Sequence, residues 1–233
     1  MKTSPLSDRP EYSACIFDLD GTIINTLPTV LHYCNRTLDH FGFSHISADV
    51  CQTLCRLPIG VFYHELLRLG GCPEMEVDKL APEARDFDIE SYAADPGRMS
   101  KAYDGITELL LALRAKGILL GVLTNKPHII AQVLIADLFP GLFDNVKGQT
   151  THSISKPDPR CLLDYIAALG LDTGNCLYVG DSDVDMKTAK AAKVDVAAVS
   201  WGFQSKEHLL EYAPDYLCEA PKDLLKLFND EFI

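Results

Sequence analysis

The sequence predicts an α/β protein built on a doubly wound parallel sheet, with an all-helical insert after its first strand. Three observations carry this expectation. A short apolar run, Ala14-Cys15-Ile16-Phe17, ends abruptly in Asp18-Leu19-Asp20-Gly21-Thr22, as a buried parallel strand does at its carboxyl end. From Tyr103 onward, apolar strand-like runs alternate with segments of helical spacing, the pattern of βαβ units with right-handed crossovers. Between them, from about Thr26 to Arg98, the sequence favours helix and holds few β-rich runs.

In chain order, helical segments are expected at Leu27–Phe41, Ala48–Leu57, Val61–Leu69 and Val77–Tyr92, with Pro82 starting or kinking the last. Pro28 and Asp95-Pro96-Gly97 mark hinge regions. Ile106–Lys116 reads as a helix stopped by Gly117. Ile118–Leu123 reads as a strand ending at Thr124-Asn125-Lys126-Pro127, and Pro127 suits the first turn of a helix running to about Leu138. Phe143–Lys147 forms a short strand and Pro159–Leu169 a helix closed by Gly170. Cys176–Val179 is a strand ending at Gly180-Asp181. Asp183–Lys193 is a helix capped by Asp183, and Val194–Val199 is a strand ending at Trp201-Gly202. No internal repeat or low-complexity tract interrupts the pattern.

At 233 residues the chain suffices for one large domain, or for a core domain with a smaller insert. A hydrophobic fraction of 47% is that of a globular protein. The net charge of −12 disfavours nucleic acid and anionic membranes as partners, so an anionic substrate would need cations gathered locally. Met1–Tyr12 is polar and has no apolar stretch of the signal-peptide kind, and no run approaches membrane-spanning length. The expected location is therefore cytoplasmic, with the eight cysteines reduced. Cys15 and Cys176 read as core residues, and Cys51 with Cys55 lacks the further ligands of a tetrahedral metal site.

Four polar clusters fall at strand ends or loops that a doubly wound sheet opens on one edge: Asp18/Asp20, Thr124-Asn125, Lys156-Pro157-Asp158-Pro159 and Gly180-Asp181-Ser182-Asp183-Val184-Asp185. Core packing gives no reason to put reactive groups at each successive strand end. Paired acids repel unless a cation or shared proton compensates, which points to a divalent metal. The Asp18 carboxylate can attack phosphorus, and Asp20 can protonate a departing alkoxide and then take a proton from water. Thr124 offers a hydroxyl and nearby backbone N–H groups to phosphoryl oxygens. Lys156 supplies a cation where charge develops, and Asp181 is an oxygen ligand suited to Mg²⁺. Asp185 orients its neighbours or a metal-bound water.

These residues resemble the four signature motifs of the haloacid dehalogenase superfamily, in order and across nearly the whole chain: Asp18 with Asp20, then Thr124, Lys156, and Asp181 with Asp185. The resemblance implies a Rossmann-like core, Mg²⁺ as cofactor, and an aspartyl-phosphate route on a small-molecule phosphate ester. It also implies that the Asp20 main-chain carbonyl joins Asp18 and Asp181 as metal ligands. The insert resembles the family's helical cap, giving a core of residues 1–25 and 99–233 and a cap of 26–98. Asp20 separates phosphatases and phosphomutases from dehalogenases, which lack this acid. Val122–Pro127 and Ser200–Phe203 are similar to phosphoglycolate phosphatases. Two positions depart from the usual pattern: Ile23-Ile24-Asn25-Thr26, where an acid and a serine are common, and Lys193, where glycine is common.

Lys156, Asn125 and Thr124 are the expected phosphate contacts, and Arg56 is the candidate to meet a leaving-group carboxylate. The favoured substrate is 2-phosphoglycolate or a related small phosphate. The alternatives are a β-phosphoglucomutase-like phosphomutase, a pyrophosphatase or a nucleotidase of the same superfamily. A receiver domain fails to explain the helical insert. A catalytically idle binding module fails to explain the complete acid, Thr and Lys set. A monomer or homodimer is expected.

Overall fold

The computed structural model describes residues 11–55, 57–95 and 97–228; most of the polar N-terminal segment, Arg56 and Pro96 lie outside the described residues. Six parallel strands form one sheet in the order β5-β4-β1-β6-β7-β8. They are β1 (Ala14–Phe17), β4 (Leu119–Pro127), β5 (Asn145–Gln149), β6 (Cys176–Gly180), β7 (Asp195–Val199) and β8 (Tyr216–Cys218). β1 lies between β4 and β6, with Phe17 opposite Val122 and Val179. The chain order reverses beside β1, which puts the Asp18 loop at the switch point of the sheet.

Alternation along β1 feeds both faces. Cys15 and Phe17 join the apolar layer that includes Ile106, Leu110 and Ile130. Ala14 and Ile16 join the layer of Leu162, Ile166, Met186 and Ala189. A strand covered on both sides needs no polar face, which is why it reads as a continuous apolar run. The first layer contains residues of α5 (Ile106–Ala115) and α6 (His128–Leu138), the second those of α7 (Arg160–Ala168) and α8 (Asp183–Ala192).

Four helices lie between the two strands of a short antiparallel ribbon, β2 (Ile24–Asn25) and β3 (Lys101–Ala102). They are α1 (Leu27–Phe41), α2 (Ala48–Leu54), α3 (Ile59–Leu69) and α4 (Glu74–Ala94). Their buried faces carry Tyr33, Leu38, Leu54, Leu66, Val77 and Ala84. No helix among the described residues is long and apolar enough to cross a membrane.

Three local expectations are corrected. Pro82 does not start α4 but sits inside it, because the turn before it already propagates from Glu74. Asp183 is not the cap of α8: the Ser182 side chain accepts from the Asp185 N–H, and Asp185 answers to the Ser182 N–H, a capping box that frees Asp183 for the first turn. The strand expected to stop at Leu123 continues as β4 to Pro127, with a register shift between Leu123 and Pro127 against β5. A short helix, α9 (Lys206–Glu211), the edge strand β8 and another short helix, α10 (Pro221–Leu225), extend the fold beyond the last expected strand.

Candidate active site

The parallel sheet aligns its strand ends on one edge, and that edge brings together Asp18, Asp20, Thr124, Asn125, Lys156, Asp181 and the Asp185 helix cap. Asp18, Asp20, Thr124, Asn125, Lys156 and Asp181 line one small cavity of about 30 Å³ with Lys126 and Phe203. Asp185 is fully buried beneath it.

Lys156 is the hinge of the charge pattern. Its Nζ lies 2.8 Å from Asp18 Oδ1 and 2.7 Å from Asp185 Oδ1. Burial opposes charge on this amine, but the two carboxylates outweigh it and hold its pKa above the usual lysine range. Asp185 is fixed from three further sides: Tyr178 OH donates to Oδ1 at 3.0 Å, and the Ser182 N–H and hydroxyl donate to Oδ2. Lys156 is therefore held by an acid that is itself immobilised by the start of α8.

Asn125 fixes the same lysine from the other side. Its Nδ2 donates to the Lys156 carbonyl at 3.0 Å, and its Oδ1 accepts from the Lys156 N–H at 3.0 Å. Gln149 Nε2 also donates to Asn125 Oδ1, at 3.3 Å, while Gln149 Oε1 accepts from the Ile59 N–H of the helical unit. The Asn125 amide, expected at the substrate, is thus engaged with the Lys156 loop.

Asp18 is 7% exposed, and burial pushes its carboxyl up to about 7 despite the pull of Lys156. Asp181 is driven well above the carboxylate range by burial and by the nearby Asp185 and Asp18, although the Phe203 N–H and the Thr22 hydroxyl donate to it. One oxygen from each of Asp18, Asp181 and Asp185 lies within 4.8 Å of the others. The Lys156 ammonium is the partner of Asp18 Oδ1. Three clustered buried acids that share one lysine and offer only oxygen donors fit a hard divalent cation such as Mg²⁺.

Lys126 joins the site as well, beyond the residues that the motifs single out. It is buried, its Nζ is 2.9 Å from Asp20 Oδ1, and the Thr26 hydroxyl donates to that same oxygen. The register shift in β4 re-aims the chain here, as bulges do beside active sites. Gly148 permits it, since a Cβ there would lie 2.6 Å from the Lys126 carbonyl oxygen. The available signal was a lysine in the strand-end run Thr124-Asn125-Lys126-Pro127, but simple alternation does not say which way it points. Arg56 lies outside the described residues.

A second cavity of about 60 Å³ opens beside the first and shares Asp20, Cys55, Asn125 and Lys126 with it. Its other walls include Val30, Leu57, Phe62 and Tyr92, so it is mostly apolar and lies between the helical unit and the sheet edge. A buried carboxylate, a second acid, a hydroxyl and a fixed lysine around an acid cluster, beside a small apolar recess, make an arrangement suited to phosphoryl transfer.

Comparison with known proteins agrees with that class. The family model described as haloacid dehalogenase-like hydrolase matches residues 15–199. A phosphoglycolate phosphatase of Rhodospirillum rubrum is 36% identical over 196 residues, covering 82% of this chain and 80% of that protein. One of Mesorhizobium japonicum is 32% identical over 204 residues, covering 85% and 87%. A crystal structure described as a predicted phosphoglycolate phosphatase from Haemophilus somnus superposes with a TM-score of 0.83 at 25% identity, covering 94% of this chain and 99% of that one. The chain belongs to the haloacid dehalogenase-like hydrolase family.

Proposed function

We propose that this protein is an Mg²⁺-dependent phosphatase that hydrolyses a small phosphomonoester through an aspartyl-phosphate on Asp18, with 2-phosphoglycolate or a close relative as substrate. The observation that carries the reading is Asp18 itself. It is a buried carboxylate whose Oδ1 lies 2.8 Å from a fixed lysine, and it is clustered with Asp181 and Asp185.

Asp18 attacks phosphorus, and the bond to the leaving oxygen breaks. Asp20, on the next turn of chain, gives that oxygen a proton and later takes one from the water that cleaves the acyl phosphate. Lys156 offsets negative charge on the nucleophile and on the transferring oxygens, held in place by Asp185 and Asn125. Thr124 receives a phosphoryl oxygen. Asp18, Asp181 and the Asp20 carbonyl are the proposed metal ligands, with Asp185 behind them. When bound, Mg²⁺ neutralises charge on the phosphoryl oxygens and screens the acids from one another. The helical unit of residues 26–98 acts as a cap, excluding water and receiving the leaving group in the apolar recess. The names of the relatives support the choice of phosphoglycolate.

The test is phosphate release from 2-phosphoglycolate, nucleoside monophosphates, pyrophosphate and sugar phosphates, with and without Mg²⁺. Asp18→Asn should lose about a thousandfold or more in kcat while remaining folded. Comparable turnover by that variant would overturn the mechanism, and isomerised sugar phosphate without phosphate release would favour a mutase.

A further inference from the structure

Lys126 is the one cation among the described residues that lines the apolar recess, and it also borders the carboxylate cavity. A buried lysine keeps its charge when an anion lies against it. Its partner is Asp20, at 2.9 Å, and its Nζ also sits 4.6 Å from the centre of the Tyr92 ring. Asp20 is also the acid that must reach the ester oxygen. At the side of the recess formed by the helical unit stands Asp88, with Oδ1 accepting from the Thr37 hydroxyl and Oδ2 from the Tyr63 hydroxyl.

We propose that Lys126 selects the leaving group by taking the carboxylate of a short 2-phospho-carboxylic acid, exchanging Asp20 for it as the substrate enters. The inference rests on the phosphatase reading above and names the residue that gives it specificity. In 2-phosphoglycolate the carboxylate is attached to the carbon that bears the ester oxygen. Because Lys126 and Asp20 are in contact, one small leaving group reaches both: its anion meets Lys126 while its ester oxygen meets the released Asp20. A carboxylate farther along a chain is pushed toward Asp88 and the apolar wall. A neutral leaving group leaves Asp20 paired, and a cationic one confronts Lys126 directly.

The experiment compares kcat/KM for 2-phosphoglycolate, ethyl phosphate and O-phosphoethanolamine, three leaving groups of similar size and different charge, at saturating Mg²⁺. The wild-type protein should favour 2-phosphoglycolate over ethyl phosphate by about tenfold or more, with O-phosphoethanolamine slowest. Lys126→Met should reduce the preference by about tenfold or more, and Lys126→Arg should recover part of it. Equal rates on the three esters, or an unchanged ratio in folded Lys126→Met, would overturn the proposal. The substrate series needs no variant and decides the matter if Lys126→Met does not fold. Asp18-dependent hydrolysis without charge preference removes this inference and leaves the phosphatase reading standing. If no phosphomonoester of the wider panel is cleaved, both fall.

Discussion

A Cβ built on Gly21 would lie 2.8 Å from Asp181 Cγ, and the backbone there has a φ of +82°. Both facts require glycine: the left-handed turn carries the chain away from Asp18, and the absent side chain leaves room for an acid from another strand end. Gly21→Ala should therefore destabilise the protein by about 1–3 kcal/mol and displace Asp181. Urea denaturation together with phosphatase assay checks this, the expected result being a larger loss of activity than stability alone explains. The Asp-x-Asp-Gly-Thr run was legible from residue types because each does local work. Lys126 was not, because its direction depends on a bulge between two strands.

At the scale of elements, α8 ends at Lys193 with a φ of 56°, where a β-carbon is strained. Lys193→Gly should stabilise the protein by about 1 kcal/mol, read as a higher urea midpoint with unchanged slope. In the helical unit, burial raises the Asp88 carboxyl to about 6 from the ordinary 3.8, although the Tyr63 and Thr37 hydroxyls and Lys126 pull the other way. The folded protein then holds a proton that the unfolded chain releases, so stability falls as pH rises from about 4 to about 6, by about 3 kcal/mol in total. In Asp88→Asn this loss should vanish, so the variant's stability relative to the wild type should rise across that window. Parallel denaturation curves at pH 4, 5 and 6 measure the difference.

Across the whole molecule, the site is a meeting of segments distant in sequence. The helical unit touches the core edge through the Ile59 N–H on Gln149 and through Gln52 Nε2 donating to the Phe203 carbonyl, whose own N–H holds Asp181. The helical unit and Asp181 thus meet on one residue of the core edge, Phe203. Three clustered buried carboxylates repel one another, and a cation held by all three would bind the native state and not the unfolded chain. Added Mg²⁺ should raise the melting temperature of the wild type by several degrees, and Asp181→Asn should lose most of that gain. Thermal unfolding in MgCl₂ against EDTA tests it, and an unmoved melting temperature would argue against the metal site.

Residue order alone determined the alternating α/β architecture, the helical insertion after β1 and the four reactive clusters, because apolar periodicity and strand-end chemistry are local properties of a chain. Only the folded molecule decided that Ser182 rather than Asp183 caps α8, that Asn125 clamps the Lys156 loop, and that Lys126 turns in to meet Asp20. Each of these depends on which groups compete for the same hydrogen bonds or charges in three dimensions, and that competition arises only once strands β1, β4 and β6 lie side by side.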